Sequence, residues 1–165
     1  MRSTIRTSAI LATLLGLTAT AGQAQSANIT ATATVLTAIT VTGASPLDFG
    51  TVFPGVAKTI AIADVGAGRF DLTGQASANV NVSFILPTDL VDGANNLPIG
   101  SWTGYRNATA ATTGGTAFTP IAGTTAAAFS GAGALFVYVG GTVTPAGNQA
   151  AGTYTGTVTL TAAYF

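Results

Sequence analysis

From Gly152 to Tyr164 the chain alternates residue by residue: Gly152, Tyr154, Gly156, Val158, Leu160, Ala162 and Tyr164 share one parity, and Thr153, Thr155, Thr157, Thr159 and Thr161 the other. Successive side chains of a strand point to opposite faces, so a period of two describes a strand with one face on a core and one in water. A helix would wrap the same residues around its circumference and bury threonine hydroxyls together with apolar groups.

The same period recurs upstream. Ile29, Ala31, Ala33 and Val35 alternate with Thr30, Thr32 and Thr34; the pattern slips at Leu36-Thr37-Ala38 and resumes at Ile39 and Val41, as two strands or one kinked strand. Short strands are also expected at Leu47–Val52, between a Gly/Ser/Pro turn and Pro54-Gly55, at Lys58–Ala63, and at Arg69–Gly74 with Phe70 and Leu72 inward. Asn79–Leu86 places Val80, Val82 and Phe84 on one face, and Pro87 ends it. Leu135–Val143 reads as a strand interrupted at Gly140-Gly141 by a bulge. Asp89–Thr119 reads as loop-rich, with Trp102 and Tyr105 as its packing aromatics. About eight short strands with turns between them predict an all-β, two-sheet sandwich.

The start of the chain differs in kind. Arg2 and Arg6 precede the apolar run Ala9–Leu17, and Gly22-Gln23-Ala24 supplies small residues before a cleavage point. That is the layout of a secretory signal peptide, and the run falls short of the roughly 20 apolar residues of a membrane span. The expected organisation is therefore a signal peptide at 1–24, an N-terminal segment at 25–36 and a sandwich domain at 37–165. Removing the leader leaves three basic and five acidic side chains, which offers no basic patch for nucleic acid. Charged residues make up only 6% of the chain, so hydroxyls and backbone must cover its surface.

The residue inventory argues against enzymatic chemistry. The chain has no His, no Cys and no Glu, which removes a His-based triad, a thiolate nucleophile and the usual zinc ligand sets. Its acids are Asp48, Asp64, Asp71, Asp89 and Asp92, with no spacing that suggests a carboxylate pair. Asp89–Asn96 lacks the terminal bidentate Glu of a calcium loop and reads as turn chemistry. Lys58 reads as a strand-edge lysine, and the Gly114-Gly115 and Gly140-Gly141 pairs lack a phosphate-binding pattern. No cofactor and no metal are expected.

Three features together resemble a known family: the Ala31–Val35 strand, the Leu47-Asp48-Phe49-Gly50 turn, and the terminal Val139-Gly140-Gly141 with Ala151–Thr161 and Tyr164. They look like the DUF4402 domain, which is similar in pattern to the spore coat protein U domain of archaic chaperone-usher pilins. The C-terminus also resembles the pilin signature, with Gly152 fourteen residues from the end and a penultimate Tyr164.

The resemblance implies an immunoglobulin-like β-sandwich lacking one strand. Its groove would lie along the terminal strand, at Gly152, Tyr154, Val158, Leu160, Ala162 and Tyr164. A donor strand from another copy, with Ile29, Ala31, Ala33 and Val35 as plugs, would fill it. It further implies a structural subunit of a bacterial surface fibre or pilus, exported through the periplasm to the cell surface, with a periplasmic chaperone, an outer-membrane usher and other copies of itself as partners. The chain departs from the family in lacking any Cys, and its Ala-rich N-terminal segment also suits pairing within its own chain. The alternative is a self-complete monomeric secreted or cell-surface sandwich whose Asp89–Thr119 region binds a ligand or adheres.

Overall fold

The computed structural model describes residues 25–165, so the expected signal peptide lies outside the described residues. The chain divides into two units, one ending at Thr34 and one spanning Val35–Phe165. Among the described residues every regular element is a strand, and all ten belong to the second unit. Residues 25–34 form no strand, and each is exposed.

The strands are β1 (Thr40–Ser45), β2 (Lys58–Ile60), β3 (Gly68–Thr73), β4 (Asn79–Ile85), β5 (Asp89–Asp92), β6 (Asn95–Asn107), β7 (Thr116–Phe118), β8 (Thr125–Ala128), β9 (Ala134–Val143) and β10 (Thr159–Tyr164). Two antiparallel sheets face each other in a sandwich-like arrangement. The larger runs β1-β3-β9-β6-β5, with β2 also on β9 and β7 also on β6; the smaller runs β10-β4-β8. β2 and β3 share one flank of β9, pairing with Gly141–Val143 and Ala134–Val139 respectively.

The expected inward residues make the core. Val80, Val82 and Phe84 of β4 meet Leu72 of β3, Leu135, Val137 and Val139 of β9, and Leu160 of β10, and Val80, Val82 and Val137 are 0% exposed. Removing each such side chain from water stabilises the fold by about 1.5–3 kcal/mol. A second cluster gathers Phe49, Ile60, Ala67, Leu97, Ile99 and Val143, and Trp102 packs against both.

Several expectations are corrected. The region expected as loop, Asp89–Thr119, contains β5, the 13-residue β6, and β7. A tight hairpin joins β5 to β6 through Gly93 at φ 58°, a left-handed conformation that glycine adopts without steric cost. The bulge expected in β9 lies on its partner: Gly100 pairs with Thr142 and Thr103 with Gly140, so Ser101 and Trp102 together oppose Gly141. The Trp102 ring lies so close to Gly141 that a Cβ there would sit 3.3 Å from it.

Leu47–Val52 forms no strand. Asp48 Oδ1 accepts the Gly50 N–H at 2.7 Å, an Asx turn that bends the chain instead. β2 stops at Ile60, short of the expected Ala63, because Asp64 Oδ2 takes the Ala61 N–H. Lys58 donates to the Thr51 carbonyl at 3.0 Å, tying this turn to β2.

Candidate functional site: a groove beside the terminal strand

The terminal alternation produces two kinds of structure. Only Thr159–Tyr164 joins a ladder, with β4; the strand expected from Gly152 does not extend that far back. The facing nevertheless follows the sequence: Leu160 is buried, Tyr154, Val158, Ala162 and Tyr164 are half-buried, and the threonines between them are exposed.

Upstream of β10, residues Pro145–Val158 form an arm rather than a strand. Thr155 makes an isolated antiparallel bridge to Val91 of β5, with N–O distances of 2.8 and 3.0 Å. Gln149 Nε2 donates to the Tyr154 hydroxyl at 2.7 Å, and that hydroxyl donates to the Ala150 carbonyl at 2.8 Å. The arm crosses the β5 hairpin closely: a Cβ on Gly152 would displace the Asp92 carboxylate, and one on Gly156 the Leu90 side chain. These contacts explain why no ladder forms here.

Between this arm, the Pro46–Pro54 turn and the inner face of the larger sheet lies an open groove of about 1010 Å³. Its floor is apolar, formed by Phe70 of β3, Val139 of β9, Leu97 and Ile99 of β6 and Leu90 of β5; Gly43 and Ser45 of β1 form one wall and Thr157 and Val158 the other. Of the six residues expected along the groove, Gly152, Tyr154 and Val158 line it, whereas Leu160 and Ala162 continue into the main core.

Tyr164 serves a different purpose. Its hydroxyl donates to the Thr37 carbonyl at 2.6 Å and accepts the Gln75 N–H at 2.6 Å, and its ring packs 6.0 Å from that of Phe129. It therefore joins the end of β10 to the chain entering β1. β1 and β10 approach each other as the edge strands of opposite sheets. Among the described residues, β1 pairs only with β3 and β10 only with β4, so each presents an unpaired backbone edge at this seam.

The expected donor residues Ile29, Ala31, Ala33 and Val35 are all exposed, Ile29 at 95% and Val35 at 93%, and join no ladder among the described residues. The floor residues Leu90, Leu97, Ile99 and Phe70 were not singled out as a groove by the sequence, although Leu97 and Ile99 do alternate. Their shared face becomes visible only when β6 is placed beside β9.

Other candidate chemistry is dispersed. Asp89 accepts from Thr88 Oγ1 at 3.0 Å, and the Asp92 carboxylate faces Gly152. On the outer face of the larger sheet Arg69 pairs with Asp71 at 2.8 Å, and that hydrogen bond raises the guanidinium pKa above its ordinary value. Trp102 and Tyr105, the expected packing aromatics, are half-buried and buried, but on β6 rather than in a loop. Residues 39–164 match the family described as "Domain of unknown function (DUF4402)". No curated protein matches the chain.

Proposed function

The chain belongs to the DUF4402 family, a domain of unknown function, and for this member we propose the role of a structural subunit of a bacterial surface fibre, assembled by strand donation between chains. The body is an immunoglobulin-like sandwich short of one strand at the β1/β10 seam. The N-terminal segment of a neighbouring copy supplies that strand. Ladder bonds to the unpaired edge give affinity, and alternate side chains over the apolar groove give fit. The contact is head-to-tail and does not close on itself, so repetition builds a filament.

One observation carries this reading: a single chain holds both a segment that pairs with nothing among the described residues, its alternating apolar side chains exposed, and an open groove that meets the free edge of β1 at Gly43 and Ser45 and ends where β10 begins. The lengths agree. Ile29–Val35 as a strand would span about 23 Å, and the six-residue β10 edge about 20 Å. In this reading residues 1–24 direct export, a periplasmic chaperone shields the groove before assembly, and an outer-membrane usher orders the exchange. Neither catalysis nor a cofactor is required.

The test is to delete residues 25–36 from the full chain and compare both proteins by unheated denaturing electrophoresis. The full chain should run as a ladder that collapses on boiling, and the deletion should run as a single monomer band. A full chain that is a stable monomer at all concentrations would overturn the proposal and favour the self-complete surface sandwich.

A further inference from the structure

We infer that the joint between the N-terminal segment and the sandwich keeps that segment out of its own groove and reserves it for a second copy of the chain. The inference rests on the strand-donation reading and adds the residues that decide between the two partners. A chain filling its own groove beside β1 must reverse direction at Leu36-Thr37-Ala38. Two-residue hairpins achieve this with positive φ, supplied by Gly, Asn or Asp. The joint contains none of these, and the only non-glycine residues with positive φ among the described residues are Ser77 and Ser101.

The fold also grips the middle of the joint. The Thr37 N–H and hydroxyl both donate to Gln75 Oε1, at 3.3 and 3.1 Å, while the Thr37 carbonyl accepts from the Tyr164 hydroxyl. The Gln75 N–H completes the knot by donating to the same hydroxyl. Two residues further on, Ile39 packs against the main core. Reversal would place β-branched Thr37 in a region it disfavours and break the knot at the same time. A longer reversal would consume Ala33 and Val35, half of the alternating plugs. The penultimate tyrosine thus acts as a positioning residue for assembly, and the groove selects the segment of another copy.

The experiment compares the full chain, the 25–36 deletion, and Leu36→Asn with Thr37→Gly, which supplies a hairpin turn and frees the joint. The double variant should lose the ladder, run as a monomer, and melt at a higher temperature than the deletion because its groove is filled from within. A double variant that ladders like the parent would overturn the inference while leaving strand donation intact. A deletion that still ladders would remove strand donation itself. Should the double variant fail to fold, Leu36→Gly with Gln75→Ala takes its place: exposed Leu36 becomes the positive-φ residue of a hairpin turn, and Thr37 loses both bonds to Gln75 Oε1. A shift from ladder to monomer supports the inference, and an unchanged ladder contradicts it.

Discussion

The sandwich contains two apolar regions that end differently. Where β4 lies over β9, Val80, Val82 and Val137 are wholly buried and Phe84 is 2% exposed. Where the larger sheet runs beyond the smaller one, Val139, Leu97 and Ile99 are still only 1–7% exposed. There, however, Phe49, Leu47 and Val52 of the turn and Tyr154 of the arm pack against Leu97 and Ile99 in place of a strand, beside an open groove of about 1010 Å³. The difference is not hydrophobicity but covering strands. The smaller sheet has three strands, and its terminal one stops short where the preceding residues bridge to β5 as an arm. A sandwich can therefore complete its core at one end and leave the other receptive, with the boundary set by where a ladder stops.

The largest effect separating the two regions should come from Phe84→Ala. Truncating this ring in the closed core is expected to cost about 3–5 kcal/mol, read from urea unfolding followed by Trp102 fluorescence. An effect no larger than that of a groove substitution would mean that the core is not where stability resides.

A smaller loss should follow from Tyr154→Phe, which removes one hydroxyl from the arm and with it the hydrogen bonds to Gln149 and Ala150. About 1 kcal/mol is expected, with faster hydrogen exchange at Thr155 than in β4. Equal exchange at both sites would show that the arm is as firmly held as the core.

The smallest effect on folding should be that of Ala33→Asp, an exposed position outside the ladders, where the change is expected to stay within about 0.5 kcal/mol. Assembly should respond in the opposite way. A charge entering the apolar groove should abolish the ladder on unheated gels, and an intact ladder would show that Ala33 does not enter it.

The alternating threonines made β10 and its buried face legible in the sequence, and the Val80-Val82-Phe84 alternation did the same for β4, because a period of two needs no tertiary information. β6 was hidden for a physical reason: its central residues, Gly100 to Gly104, are short or polar, and Trp102 sits in a bulge that breaks the parity. β8, Thr125–Ala128, is nearly all alanine and carries no strand preference of its own; it forms because β4 offers it an edge. Within the site, the walls could be read from Tyr154 and Val158. The floor could not, since it combines residues from β3, β5, β6 and β9 that only the sheet order brings together. The role of Tyr164 at Thr37 was equally invisible, joining positions 127 residues apart.

The most direct test of strand donation is disulfide trapping, which the absence of native cysteine makes unambiguous. Thr32→Cys, on the outward parity of the N-terminal segment, would be combined in turn with Thr159→Cys, Thr161→Cys and Ala163→Cys on the outward face of β10. After mild oxidation and boiling without reductant, at least one pair should give a covalent ladder that collapses on reduction. Boiled monomer alone from all three pairs, with the cysteines still free, would contradict the account.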